Sequence, residues 1–137
     1  MDVQILFGVD EIKKVYEKSL EAKALNVICL AQQYGRIIGD YFDKSYAPRL
    51  FGSQTITREI LTNSQANRDD AGQKDGKKNQ VRFIRTAKKS ESDLMIFDHQ
   101  AIMVSYNQKA PFALIISDQE LVTNLENQFE ALWGSLQ

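Results

Sequence analysis

Leu25-Asn26-Val27-Ile28-Cys29-Leu30-Ala31 is a nearly continuous apolar run with Val and Ile at its centre. Such a run reads as a strand covered on both faces, which points to an α/β sheet with helices on either side. On its amino-terminal side, Asp10 to Lys23 has helical period. Ile12, Val15, Tyr16, Ser19 and Leu20 form one stripe, and Glu11, Lys13, Lys14, Glu17, Lys18 and Glu21 cover the rest. Before that helix, Met1 to Phe7 is a short apolar strand closed by Gly8. Strand, helix and buried strand make a βαβ opening, which predicts parallel pairing of the two strands and a right-handed crossover.

On the carboxyl-terminal side, Gly35 and Gly39 bracket a transition into a predicted helix over Asp40 to Phe51, which Pro48 should break or kink and Gly52 should close. Thr55 to Leu61 is rich in β-branched residues and reads as a strand. Ser64 to Asn79 offers only Ala66 and Ala71 as apolar residues, so it predicts a mobile loop with at most one frayed helical turn, either simply solvated or serving as a lid or partner contact. Closely spaced strands follow: Gln80 to Arg85, Leu94 to Phe97, Gln100 to Tyr106 and Pro111 to Ile116. Asp98-His99 is the expected tight hairpin turn. Ser117-Asp118-Gln119-Glu120 reads as a capping box with Ser117 at the cap. It opens a helix whose apolar face carries Leu121, Val122, Leu125, Phe129, Leu132 and Trp133. The expected architecture is a single α/β domain over residues 1–137: a mixed sheet flanked by helices, in the order βαβαβ, loop, three or four strands, helix.

The 137 residues fit one domain with a real core. A net charge of −1 gives no chain-wide attraction for nucleic acid. The lone Cys29 makes no internal disulfide, and its apolar surroundings predict an inert buried thiol. No leader pattern and no membrane-length apolar run are present, so the expectation is a cytoplasmic protein without membrane contact.

The chemistry-bearing residues are few. Gly35 and Gly39 lack the spacing and the lysine of a phosphate loop. One His and one Cys, far apart, do not make a metal site, and no cofactor is implied. Asp69-Asp70 falls in the expected loop, where a solvated pair is the simpler reading. A Ser-His-Asp triad would need His99 as its base, and no nucleophile elbow accompanies it. His99 is therefore read as a solvent-facing turn residue or a ligand contact. In the strand Val81-Arg82-Phe83-Ile84-Arg85, Arg82 and Arg85 lie on opposite faces. Arg85, sharing a face with Val81 and Phe83, must find an acceptor within the fold or serve an anion site.

The order of segments resembles the effector domain of TrmB-like transcriptional regulators. Phe7-Gly8-Val9 leading into Ile12-Lys13-Lys14-Val15-Tyr16 looks like its opening, and Tyr46-Ala47-Pro48-Arg49 resembles its Y-x-P-R helix end. Val81 to Arg85, the hairpin from Met95 to Ser105, Phe112 to Ile116 and the helix ending Phe129 to Trp133 follow in the same order. The resemblance covers nearly the whole chain. It implies a phospholipase-D-like half-fold that has lost catalysis. Active members of that superfamily carry H-x-K-x-x-x-x-D; counted from His99, the lysine position is Ala101 and the aspartate position is Tyr106.

Two departures accompany the resemblance. TrmB-like regulators begin with a winged helix for DNA, and sugar-sensing members continue beyond the closing helix into a β-rich segment; neither is expected here. The reading is thus a non-catalytic sensing or dimerisation domain of a TrmB-like regulator, with no catalytic residue and no direct nucleic-acid contact of its own. Its expected partners are a second copy of the chain and a small effector, a sugar or an anion. Arg49, Arg85 and His99 are the candidate ligand-binding residues. The alternatives are a stand-alone interaction module and a residual hydrolase working through His99.

Overall fold

The computed structural model describes residues 2–137. A seven-stranded mixed sheet runs through it in the order β1-β7-β6-β5-β2-β3-β4. The strands are β1 (Val3–Phe7), β2 (Ala24–Cys29), β3 (Ile56–Thr62), β4 (Asn79–Ile84), β5 (Ser92–Phe97), β6 (Gln100–Ser105) and β7 (Phe112–Ile116). The helices are α1 (Val9–Ser19), α2 (Gly35–Ile38), α3 (Ala47–Gly52), α4 (Gln65–Ala71) and α5 (Gln119–Ser135), with a π-helical turn over Phe42–Tyr46 leading directly into α3. The fold is α/β with helices on both faces, as the sequence predicts. Among the described residues no helix is long and apolar enough to cross a membrane.

Alternation along the strands divides the core in two. Leu25, Met95, Ile102, Val104 and Ala113 face α1, whose Ile12, Val15 and Tyr16 are at most 3% exposed. Ile60, Ile96, Ala101 and Ile116 face the other way, under Val122, Phe129 and Trp133 of α5. The central strand is β5, which pairs antiparallel with β2; β2, β3 and β4 run parallel beyond it.

Four local expectations are corrected. β1 and β2 run in the same direction but never meet: β1 pairs antiparallel with β7, Val3 opposite Ile116, and three strands separate it from β2. Gly8 N–H bonds to the Pro111 carbonyl and fixes this edge pairing. The segment 64–79 holds more helix than the single frayed turn expected: α4 covers Gln65–Ala71. Ser64 caps α4, its Oγ accepting from Asn67 N–H at 3.1 Å, and the segment ends with Asn79 almost fully buried. Polar contacts order it where no apolar face could. Around Pro48 the helix widens instead of breaking. Ala47 N–H bonds back to the Phe42 carbonyl, and Pro48 sits in the first turn of α3, where a missing N–H is tolerated. The cap of α5 is Asp118, one residue later than expected; its Oδ2 accepts from Leu121 N–H at 3.1 Å. Ser117 is drawn outside the helix because its N–H bonds to the Asp2 carbonyl.

Candidate functional site

β2 and β3 end side by side at Cys29 and Leu61, and β5 starts beside them, Asp93 opposite Cys29. In open α/β sheets the crevice at the carboxyl ends of the strands, where neighbouring connections diverge, is the place for a ligand. A cavity of about 300 Å³ opens there. Its floor is one face of the sheet: Val27 and Cys29 of β2, Glu59 and Leu61 of β3, Asp93 and Met95 of β5. Tyr34, the π turn and α3 form its roof with Phe42, Tyr46 and Phe51, and α4 with Lys74 closes one side.

Asp93 is 3% exposed. Its Oδ1 accepts from Ala31 N–H at 3.2 Å and its Oδ2 from the Tyr16 hydroxyl at 3.1 Å. Tyr16 and Tyr106 share a hydroxyl–hydroxyl bond of 2.6 Å. Burial pushes the Asp93 carboxyl up to about 6, although the thiol of Cys29, Ala31 N–H and Tyr16 all favour its charged form. Among the described residues no lysine or arginine pairs with it. At neutral pH it is a buried carboxylate held by neutral donors alone, an arrangement that costs stability and recurs at functional sites.

Glu59 is solved differently. Lys74 Nζ lies 3.0 Å from Glu59 Oε1 and 3.0 Å from Asp70 Oδ2, and 4.4 Å from the centre of the Phe51 ring. The Lys74 side chain is 6% exposed. Burial works against its charge, but Glu59 and Asp70 outweigh it and the ammonium titrates above its ordinary range. Glu91, just before β5, accepts from Gln33 N–H at 2.7 Å and Gln32 N–H at 3.0 Å, anchoring the loop that follows β2. Cys29 has a thiol pushed well above its usual range by burial first and then by Asp93, which disfavours the thiolate. Tyr34 is pushed up to about 12, by burial first and then by nearby Asp43.

None of the residues expected to bind a ligand lines this cavity. Arg49 is on the outer side of α3, where its guanidinium bonds both carboxylate oxygens of Glu17 at 2.7 Å. Arg85 lies beyond the end of β4 and is exposed. Its neighbour Arg82 takes the structural part: it stacks on Trp133, 4.4 Å from the ring centre, and donates to the Trp133 and Leu136 carbonyls. It thereby serves the free carbonyls at the end of α5. His99 sits with Asp98 in the β5–β6 turn, both at positive φ (60° and 49°), exposed and at the opposite end of β5 from Asp93.

The pattern counted from His99 also comes apart. Ala101 packs under α5, while Tyr106 belongs to the opposite core. Laid along β5 instead, starting at Glu91, the same pattern ends on a true aspartate, Asp98, and its lysine position falls on Asp93. In that register the histidine and lysine positions are both carboxylates. Asp98 itself was the signal that could have found it, eight residues earlier than the count from His99.

No family model and no curated protein sequence matches the chain. Solved structures do. TrmBL2, an archaeal chromatin protein whose structure shows a novel mode of DNA binding, matches with a TM-score of 0.66 at 15% identity over 100% of this chain. The chain spans only 54% of that protein. NucT from Helicobacter pylori matches at 0.59 and 13% identity, covering 98% of this chain and 96% of its own. Nuc, a phospholipase D family member from Salmonella typhimurium, matches at 0.63 and 9% identity, covering 98% and 95%. At these identities the likeness concerns the fold, and the fold is phospholipase-D-like, related to that of TrmB-like proteins.

Proposed function

We propose that this chain is a non-catalytic effector-binding domain of the TrmB-like kind, with the cavity at the ends of β2 and β3 as its effector site. The observation that carries the reading is the exchange at the start of β5. Where the superfamily pattern calls for a histidine nucleophile and a phosphate-binding lysine, this chain has Glu91 and Asp93. Phosphoryl transfer depends on preorganised positive charge around the phosphate, and two carboxylates repel it. The one histidine lies at the far end of the strand. Incubation of the chain with bis(p-nitrophenyl) phosphate should release no nitrophenol. Turnover that disappears in Glu91→Ala or His99→Ala would overturn the proposal.

Arg49, Arg85 and His99 do not line this cavity, so the proposed effector site does not draw on them. DNA contact is likewise not assigned to this chain, whose net charge is −1. What TrmBL2 does with DNA stays with that protein.

Self-association is a second part of the proposal, on the edge of the sheet. Val122, Phe129 and Trp133 of α5 are spent on the chain's own core, with only Leu121 well exposed. The free apolar surface lies instead on the edge strand: Val3, Ile5 and Phe7 are 37%, 52% and 68% exposed, and Met103 on the same face is 41% exposed. A twofold interface is the common way to cover such a stripe. Sedimentation equilibrium should give a dimer that Ile5→Lys weakens; a monomer at high micromolar concentration would remove this part.

A further inference from the structure

We infer that the cavity binds a small organic cation, an ammonium-bearing amine, with Asp93 as its anchoring carboxylate and Tyr34 and Phe42 as its aromatic wall. This rests on the effector-site reading and adds the chemical class of the ligand.

The charge of the lining comes first. Asp43, Glu59, Asp70 and Asp93 border the cavity, and Lys74 is the only cation among them. An anion would meet several carboxylates at low dielectric, where like charges cost most. A sugar would find acceptors but leave the charge of Asp93 uncompensated. An ammonium would compensate it and could keep hydrogen bonds to the carboxylate.

The walls make the same selection. Tyr34 and Phe42 meet edge to face with ring centres 4.7 Å apart, and Phe42 continues into Tyr16 at 4.6 Å. Aromatic rings beside carboxylates attract cations through both the ring quadrupole and the charge. The chain itself supplies the precedent. Lys74 is an ammonium already held in this cavity by two carboxylates and an aromatic face. Glu59 has received its cation from the chain; Asp93, on the next strand but one, has not. A volume of about 300 Å³ leaves room for an amine with a single-ring or short aliphatic body.

The test uses the whole chain and four probes: benzylamine, benzyl alcohol as its neutral counterpart, glucose and inorganic phosphate. Binding is read by calorimetry and by chemical-shift changes of Tyr34 and Phe42. Benzylamine should bind and shift both rings, and the other three should not. Asp93→Asn should weaken benzylamine at least about tenfold, the loss expected for a buried charge pair. Asp43→Asn, at the exposed rim and harmless to folding, should weaken it about threefold and flatten its salt dependence. Binding of benzyl alcohol or glucose at the same rings, with benzylamine no better, would overturn the cation assignment and leave the effector site standing. Benzylamine binding that both variants leave unchanged would overturn it too. No response at Tyr34 and Phe42 to any probe would overturn both readings.

Discussion

The two faces of the sheet are covered by different kinds of layer. Under α5, Phe129 and Trp133 stack with ring centres 5.9 Å apart on Ile60, Ile96 and Ala101, and the polar contacts gather at the border, where Arg58 bonds Glu130 and Arg82 serves the helix end. Under α1 and α3 the layer is threaded with polar atoms. Ser19, Tyr16, Tyr46, Tyr106 and Asp93 are all buried, and the cavity lies among them. Strand alternation is what permits this: neighbouring residues such as Asp93 and Leu94 serve different cores. One face can then be optimised for cohesion while the other keeps buried polar groups around a cavity. The contrast is the stability–function trade-off drawn within a single sheet.

The sharpest way to break the cohesive face is Phe129→Ala. The ring is 1% exposed, and its loss should cost about 3–5 kcal/mol, read as a fall in the urea midpoint without loss of any ligand site. On the polar face, Lys74→Met should cost about 3 kcal/mol at neutral pH, because Glu59 keeps a buried charge without its partner. Glu59→Gln added to that variant should recover much of the loss; if it does not, Lys74 acts by packing alone.

Asp93 gives the opposite sign. Its carboxyl titrates at about 6 in the folded chain, above its unfolded value, so the folded state holds the proton longer. Stability should therefore fall as pH rises from about 4 to 6 and level off above. Asp93→Asn removes that fall, and at pH 7 it should be the more stable protein by about 1–2 kcal/mol, after allowing for one lost acceptor. Equal stability of the two proteins at pH 4 and pH 7 would show that the charge is compensated. The smallest effect belongs to the cohesive face: Asp118→Ala removes the cap of α5 and should cost about 1 kcal/mol in thermal unfolding.

The same contrast explains what was legible in the sequence. Apolar periodicity gives α1, α5, β2 and the β5–β6 hairpin, because each is decided by local pattern. Asp98 and His99 both take the positive φ that such a tight turn demands. Partner choice in the sheet was not legible: β1 looks like a neighbour of β2, and only distant pairing sends it to β7. The cavity was hidden for a related reason. Asp93 reads as an unremarkable polar residue at the start of a strand, and Lys74 as one charge in a solvated loop. Their meaning comes from Cys29, Glu59 and Phe51, which tertiary structure brings beside them. Arg85, which sequence reading offers to an anion, lies outside this cavity, as does Arg49, and the lining of the cavity is rich in carboxylates.

The edge pairing of β1 with β7 also sets an order of events. Val3 can find Ile116 only after all the intervening strands exist, so β1 is made before the other strands of this sheet and docked among the last. Until then its Val3, Ile5 and Phe7 travel as an unpaired, strand-forming apolar stripe, the kind of segment that chaperones hold and that seeds aggregation. A slow step in the maturation of this sheet would thus lie at β1, which waits for β7.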